Sequence, residues 1–294
     1  MLDLFRNIFA PPRDLILLAA AAWIGMSLAE KRAKRYHTDK SLLSNLIFYL
    51  VLAYLLGGRI YYALEHLSAF AQSPLSLISL NTAAFDSFGA LAAALIVGFV
   101  YGQRKGMSVW PTLDALTPFF TLLAIGIGFS HLASGAAFGS ETTVPWGINL
   151  WGAIRQPTQI YEIIASLLTF AVIWLRKADS KPGSDFLLFA ALTSASRLII
   201  EGFRGDSTLI LGGVRSAQVI AWLILAVSLV ALELLKPRVV PVAVVEKVEP
   251  VIETKRNEVK RKTQSTSAQK TTNVKKTAPS KTKSATAKRK SPKE

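Results

Sequence analysis

The feature that most constrains this chain is a series of apolar segments, each long enough to cross a lipid bilayer. A membrane-spanning helix needs about 20 consecutive apolar residues. Hydrophobic residues make up 51% of the 294 residues and charged residues only 18%, a balance that would leave a soluble domain with large exposed apolar patches. The sequence predicts an all-α integral membrane protein of about seven transmembrane helices, near residues 12–30, 43–63, 86–103, 111–133, 158–175, 185–203 and 216–235.

Basic residues are concentrated in alternate connections between these segments. Residues 64–85 contain no Lys or Arg, and residues 134–157 contain only Arg155. By the positive-inside rule the basic connections face the cytoplasm, which predicts an N-terminus outside the membrane and a C-terminus inside. The basic residues assigned to the cytoplasm are Lys31, Arg32, Lys34, Arg35, Lys40, Arg104, Lys105, Arg176, Lys177 and Lys181.

The charge of the chain lies mainly in its last 59 residues. From residue 236 to residue 294 there are 17 Lys or Arg and 5 Glu, with no aromatic residue and no sustained apolar period. Such a segment cannot bury enough apolar surface to offset the entropy of ordering. We therefore predict two parts, a membrane domain over residues 1–235 and a disordered cytoplasmic tail over residues 236–294. The tail is a solvated tether or an attachment to anionic lipid, and no nucleic-acid partner is expected.

Ionisable residues within apolar spans are costly and usually mark function. With a rise of about 1.5 Å per residue, Arg197 and Glu201 lie about 18 and 24 Å along the sixth span, in the outer half of a core about 30 Å thick. Arg204 shares their helix face because of its spacing. The same arithmetic brings further polar residues to this level. The predicted set is Arg59, Gln159, Tyr161, Glu162, Arg197, Glu201, Arg204 and Gln218, with His131 near the outer end of the fourth span.

An arginine-rich site at the outer headgroup level suits the phosphate of a glycerophospholipid. The alternative is that Arg197–Glu201 and Arg59–Glu162 are structural ion pairs that hold helices together, with Arg204 reaching the interface. The chain has no cysteine, so it offers no thiolate nucleophile and no cysteine-based metal site. No metal or organic cofactor is predicted.

Four short motifs in order along the spans resemble one known family. They are Ala29-Glu30-Lys31-Arg32-Ala33-Lys34-Arg35, Gly57-Gly58-Arg59-Ile60-x-Tyr62, Gln156-Pro157-Thr158-Gln159-Ile160-Tyr161-Glu162, and Arg197-Leu-Ile-Ile-Glu201-Gly-Phe203-Arg204, followed by Gln218. The chain resembles the bacterial prolipoprotein diacylglyceryl transferases, seven-span enzymes of the cytoplasmic (inner) membrane. The resemblance implies transfer of diacylglycerol from phosphatidylglycerol to the lipobox cysteine of exported lipoprotein precursors.

The resemblance also implies roles for individual residues. Arg197 would bind the anionic headgroup and Glu201 would orient it. The surrounding polar cavity would be built by Arg59, Gln159, Tyr161, Glu162 and Arg204.

The chain departs from the family's pattern where proton transfer and phosphate binding are expected. Phe88 stands where the family has a histidine in the third span, and Asp86 is a conceivable substitute for it. In the fourth-span signature, Gly128 stands at the family's arginine and Ala136 at its glutamate. The first-span motif is also missing near Pro12-Arg13-Asp14. Our hypothesis is that His131 replaces the missing base, and the alternative is that His131 only forms hydrogen bonds at the membrane interface.

Three functions follow from these observations. The first is an active, divergent transferase. The second is a non-catalytic paralogue that binds glycerophospholipid or a lipoprotein precursor, which the lost signature residues favour. The third is a transporter or channel. Such proteins often have repeated halves with matching broken spans, and the sequence shows no such repeat.

Overall fold

The structure is a computed structural model that describes residues 2–72, 84–176, 181–210, 212–235 and 255–261. Apart from two short hairpins, its regular structure is helical. The helices are α1 (Leu2–Ile8), α2 (Leu15–Ala33), α3 (Lys40–Glu65), α4 (Leu67–Gln72), α5 (Ser87–Arg104), α6 (Val109–Ser134), α7 (Thr158–Leu175), α8 (Ser184–Glu201) and α9 (Ser216–Leu235).

Every predicted span overlaps one long helix. Five helices are long and apolar enough to cross a membrane, namely α3, α5, α6, α7 and α9. The 19-residue α2 ends in the charged run Glu30-Lys31-Arg32, and the 18-residue α8 contains Asp185, Arg197 and Glu201. Those charges lower the hydropathy of two helices that have the length of a span. The structure thus confirms a helical, membrane-type protein.

Two antiparallel hairpins were not predicted. Strands β1 (Ile148–Leu150) and β2 (Ala153–Arg155) are joined by Trp151 and Gly152, which have φ of 56° and 78°. Two successive residues with positive φ are what a tight two-residue hairpin turn requires. Strands β3 (Leu209–Ile210) and β4 (Val214–Arg215) form the second hairpin, between α8 and α9.

The central helix is α6, since 61% of its 18-residue apolar stretch is buried, compared with 11–28% of the corresponding stretch in each of the other four apolar helices. It packs mainly on α2 and α7, while α3 packs on α5 and α8 on α9. Small residues allow the close approaches. A Cβ on Gly126 would lie only 2.4 Å from the Cβ of Ala21, and one on Gly57 only 2.2 Å from the Cβ of Ala93. Such small-residue contacts are typical of helices packed in membranes.

Polar contacts tie the helices together at the end of the bundle where α6 and α8 begin, which we call the opposite end. The Asp114 carboxylate accepts hydrogen bonds from the backbone N–H groups of Gly183 (2.5 Å) and Phe186 (2.9 Å), and so caps α8. Asp185 pairs with Arg176 at 3.1 Å and accepts a hydrogen bond from the hydroxyl of Tyr36. Burial and this hydrogen bond raise the pKa of Tyr36.

A second set of contacts at the opposite end joins α2 to the end of α7. Arg32 donates to the carbonyl oxygens of Ile173 (2.9 Å) and Trp174, and Arg35 donates to that of Arg176 (2.8 Å). These carbonyls are among those that a helix C-terminus leaves without intrahelical partners. The basic motif after the first span therefore has a structural function.

The contacts within the chain divide it into Met1–Lys236 and Pro237–Glu294. In the second unit the structure describes residues 255–261, which form an exposed helix. The remainder of the tail, and Lys177 of the basic connections, lie outside the described residues. The prediction of a disordered tail from residue 236 therefore stays a prediction.

Candidate active site

The carboxylate of Glu162 is the junction of a charged network at the other end of the bundle, which we call the site end. Its Oε2 lies 2.8 Å from Nδ1 of His131, and its Oε1 lies 3.1 Å from Nη1 of Arg197 and 3.4 Å from Nη1 of Arg204. The Glu162 side chain is only 13% exposed. A half-buried carboxylate that contacts three cationic or titratable groups holds all of them in fixed relation.

Glu201 forms the second anionic point of the network. Its side chain is 2% exposed, and its Oε2 lies 3.1 Å from Nε of Arg197 and 3.8 Å from Nε of Arg204. Neither contact is aligned as a hydrogen bond, so Oε2 keeps its acceptor capacity. The predicted pair between Arg197 and Glu201, four residues apart on one helix, is confirmed.

Asp206 and Arg215 complete this region. The Arg204 guanidinium donates from Nε and Nη2 to the two carboxylate oxygens of Asp206, each at 2.9 Å, in a bidentate pair. Arg215 donates to the backbone carbonyls of Glu201 and, at 3.1 Å, of Arg204. It thereby fixes the turn that follows α8. The hairpin β3–β4, in which Arg215 lies, is thus part of the scaffold of the site.

The start of α7 is attached to the loop after α6 by two buried polar side chains. Thr158 Oγ1 donates to the carbonyl of Ala137 at 2.6 Å, and Gln159 Nε2 donates to that of Ala136 at 2.9 Å. Gln159 is fully buried, and its Oε1 has no hydrogen-bond partner among the residues that the structure describes. The amide nitrogen of Gln159 therefore positions the loop.

Tyr161 lies beside the network in a separate hydrogen-bond chain. Its hydroxyl donates to Oε1 of Gln156 at 2.8 Å and accepts from Nε1 of Trp146 at 2.7 Å. Its ring packs against Phe203, with the ring centroids 6.1 Å apart. Gln156 in turn donates to the Thr142 hydroxyl at 3.1 Å. This chain connects the α6–α7 loop to the rim of the site.

His131 has the contacts of an oriented base. When Nδ1 carries the proton and donates it to Glu162, Nε2 remains an acceptor that faces away from the carboxylate. A carboxylate that fixes the tautomer of a histidine and stabilises its charged form is a common arrangement in proton transfer. The arrangement can thus accept a proton at Nε2 while the two arginines stabilise negative charge nearby.

Arg59 is not part of the network. The described charged partners of Glu162 are His131, Arg197 and Arg204, so the structural ion pair between Arg59 and Glu162, which belonged to the alternative interpretation, is absent among the described residues. Nη1 of Arg59 is buried and has no hydrogen-bond partner within the described part of the chain. Gln218 likewise lies outside the network and donates to the carbonyl of Leu198 at 3.1 Å.

Two other residues named from the sequence have structural positions. Asp86 is the N-cap of α5 and accepts a hydrogen bond from the N–H of Gly89 at 2.6 Å. Phe88 is 71% exposed on the surface of that helix. Asp86 therefore serves as a helix cap and is committed to that role, which leaves His131 as the candidate base.

Comparison with known proteins supports the family indicated by the motifs. A model of the prolipoprotein diacylglyceryl transferase family matches residues 15–234, well over half of the chain. The chain belongs to this family. The phosphatidylglycerol–prolipoprotein diacylglyceryl transferase of Nostoc sp. is 32% identical over 235 residues, which cover 74% of this chain and 82% of that protein.

Two further relatives carry the same name. That of Clostridioides difficile is 31% identical over 208 residues, covering 70% of this chain and 83% of the relative. That of Shouchella clausii is 30% identical over 232 residues, covering 74% and 82%.

The sequence resemblance aligns Gly128 of α6 with the signature arginine of the family. A Cβ on Gly128 would lie 2.7 Å from Cγ1 of Ile163, so α7 packs directly against this glycine. A side chain at that position would require Ile163 to shift. At residue 128, α6 therefore supplies no guanidinium.

The sequence analysis missed Asp206, Arg215 and Arg6. Asp206 follows Arg204 by two residues, and Arg215 comes directly before the last span, so proximity to a named motif could have indicated both. Arg6 had a weaker signal, a single arginine in the apolar run Leu4-Phe5-Arg6-Asn7-Ile8-Phe9 ahead of the first span.

A separate cavity lies away from this network. A cavity of about 620 Å³ lies at the opposite end and is lined by Arg35, Tyr36, Lys105, Asp114 and Lys181, among others. None of the predicted site residues lines it. We assign the chemistry to the site end because its network combines a candidate base with clustered arginines.

Proposed function

We propose that this protein transfers diacylglycerol from phosphatidylglycerol to the thiol of a lipobox cysteine in exported lipoprotein precursors. The proposal is supported by membership of the family, by the names of its relatives, and above all by one observation. That observation is the junction at Glu162, where a histidine and two arginines meet at the end of three helices. A proton acceptor beside two fixed cations is what this reaction requires.

The reaction uses the acceptor protein's own thiol as nucleophile. Nε2 of His131 takes the thiol proton, and the sulfur forms a C–S bond to the glyceryl carbon that carries the phosphate ester. The C–O bond to that phosphate breaks, and glycerol phosphate leaves with the electron pair. Arg197 and Arg204 stabilise the phosphate oxygens as their charge develops, and Glu162 holds the three groups in place.

The remaining residues position the lipid. Glu201 keeps Arg197 extended from α8, and its unaligned Oε2 is free to accept a hydrogen bond from a glycerol hydroxyl. Arg59 offers a buried, unpartnered Nη1 to the headgroup from α3. Tyr161 lines the rim. Gln159 acts indirectly by holding the α6–α7 loop.

The proposed topology has seven spans, with the N-terminus outside and the C-terminus in the cytoplasm of a bacterial inner membrane. It is supported by the seven helices of 18 to 26 residues and by the basic residues at the opposite end. The site end then faces the outer leaflet, the side on which exported precursors arrive.

The absence of cysteine makes this topology simple to test. Single cysteines replacing Glu141 at the site end and Lys105 at the opposite end are to be labelled with a membrane-impermeant maleimide in intact cells. We expect labelling of Glu141→Cys without permeabilisation, and of Lys105→Cys only after it. The reverse pattern would refute the orientation.

The function itself is tested by reconstitution. The full chain in vesicles with phosphatidylglycerol labelled in its acyl chains is incubated with a lipobox peptide, and a thioether-linked diacylglyceryl peptide is the expected product. A Cys→Ser peptide serves as the control. Retained lipid binding with no product would favour the second candidate, a non-catalytic paralogue. The departures from the family's pattern at Gly128, Ala136 and Phe88 support that candidate.

A further inference from the structure

The network at the site end is charge-balanced before any lipid binds. Its carboxylates are Glu162, Glu201 and Asp206, and its arginines are Arg197, Arg204 and Arg215. An anionic phosphodiester would therefore add a negative charge to a region whose arginines already have partners. Anion binding at this end calls for a guanidinium that is not yet committed.

Arg6 is such a residue. It lies on α1, which packs on α6 near the site end, with the rings of Phe5 and Phe129 6.3 Å apart. The side chain makes no hydrogen bond or ion pair with any residue that the structure describes, and its Nε is buried. An arginine with a buried and unpartnered nitrogen is costly unless a ligand completes its hydrogen bonds.

The guanidinium of Arg6 is directed to the end of α6. Its Nη2 lies 3.1 Å from the point where a Cβ of Gly135 would be, beside the ring of Trp151 at 3.0 Å from the same point. Gly135, in turn, donates its N–H to the carbonyl of His131 at 2.9 Å. The guanidinium of Arg6 thus lies about one helical turn beyond the candidate base.

We infer that Arg6 is a phosphate-binding residue of the lipid site, supplying from α1 a guanidinium that α6 does not supply at Gly128. This inference rests on the proposed function. Arg6 lies outside the region matched by the family, which begins at residue 15. Arg6 contacts the nonreacting oxygens of the phosphodiester and acts mainly on lipid binding.

The test uses the full chain in vesicles with a graded fraction of phosphatidylglycerol. We expect Arg6→Gln to raise KM for phosphatidylglycerol about 10-fold or more, the loss typical of a hydrogen bond to a charged group, with kcat changed less than about 3-fold. Arg6→Lys should recover part of the loss. Inhibition by soluble glycerol phosphate should weaken in parallel in Arg6→Gln.

Arg13→Gln is the matched control. Arg13 belongs to the same N-terminal segment and is exposed, and its guanidinium donates only to the backbone carbonyl of Asn7 at 2.9 Å. We expect KM within about twofold of the wild type. A KM for Arg6→Gln equal to that of Arg13→Gln, at unchanged thermal stability, would overturn the inference.

Binding of labelled phosphatidylglycerol separates this inference from the proposed function. If the wild type binds the lipid but forms no product, the proposed function fails, and the binding affinity of Arg6→Gln still tests Arg6. If the wild type forms product and neither KM nor affinity changes in Arg6→Gln, only the inference fails. If Arg6→Gln loses thermal stability, KM for phosphatidylglycerol is compared between Arg6→Lys and Arg13→Lys instead. A higher KM for Arg6→Lys supports the inference, and equal KM values overturn it.

Discussion

The two ends of the bundle contain similar residues and differ in how completely those residues are paired. At the opposite end both oxygens of Asp114 accept backbone hydrogen bonds, and Asp185 is bound by Arg176 and Tyr36. At the site end, buried nitrogen or oxygen atoms of Arg6, Arg59, Gln159 and Asp14 have no partner among the described residues. At the opposite end only Nε of Arg35 is in that state.

This difference separates a structural network from a binding site. Buried polar groups are normally satisfied, because each unsatisfied group costs about 1–3 kcal/mol. The satisfied carboxylates at the opposite end, Asp114 and Asp185, join the helices. Unsatisfied groups at the site end are explained when a polar ligand completes them. Variants test this distinction. Substitutions at the site end should change the lipidation rate, and substitutions at the opposite end should change stability.

The largest effect is expected from His131→Gln at the site end. Removal of the proton acceptor should slow transfer about 100-fold or more, the usual contribution of a general base, with phosphatidylglycerol binding within about twofold of the wild type. Initial rates of peptide lipidation measure the first and binding of labelled lipid the second. The control is His66→Gln, since His66 stacks on Tyr62 away from the network. Equal rates for the two variants would remove His131 from the mechanism.

A smaller loss is expected from Arg197→Lys. Lysine keeps the charge but cannot bridge Glu162 and Glu201 with separate nitrogens as Arg197 does. We expect transfer to fall about 10-fold, the rate change for roughly 1.4 kcal/mol of transition-state stabilisation. Arg104→Lys, an exposed arginine at the opposite end, should have no effect on the lipidation rate. A wild-type rate for Arg197→Lys would show that its charge alone is used.

At the opposite end we expect a change in stability and none in chemistry. Asp114→Asn replaces one of two acceptor oxygens with a donor, so one of the backbone hydrogen bonds to α8 is lost, at a cost of about 1–3 kcal/mol. Thermal unfolding in detergent should occur at a lower temperature, with the lipidation rate per folded molecule unchanged. Asp3→Asn on the exposed face of α1 is the control. A loss of lipidation rate in Asp114→Asn without a loss of stability would contradict the distinction between the two ends.

The smallest effect concerns the exposed ion pair between Lys40 and Glu30, 3.0 Å apart, in which the Lys40 side chain is 65% exposed. Solvent screens such a pair, so Lys40→Ala should change stability by less than about 0.5 kcal/mol. The same unfolding experiment measures it beside Asp114→Asn. An effect as large as that of Asp114→Asn would show that pairing at this end does not depend on burial.

The sequence predicted the helices and the height of the polar residues along them. Hydropathy alone placed a helix at each of the seven segments, and the spacing of Arg197 and Glu201 predicted their pairing, as the structure confirms. Family membership, predicted from four motifs, is confirmed by the match to residues 15–234.

The sequence did not predict which helices face each other around the site. Arg59 was grouped with Glu162 because both lie at one depth, but depth along a span leaves the direction around the bundle undetermined. The hydrogen bond from Gln159 to the carbonyl of Ala136 was not predicted either, because it joins α7 to a loop. Asp206 and Arg215 lie in loops and a hairpin, whose geometry has no periodic signal in the sequence.

The central claim is that chemistry at the site end depends on the carboxylate of Glu162. The most direct measurement compares the rates of peptide lipidation by Glu162→Gln and Glu141→Gln, per folded molecule, in vesicles of phosphatidylglycerol. Glu141 is an exposed carboxylate of the same end, paired only with Arg155 at 3.3 Å. The account predicts a loss of about 100-fold or more for Glu162→Gln and a rate within about twofold of the wild type for Glu141→Gln. A folded Glu162→Gln protein that lipidates the peptide at the wild-type rate would contradict it.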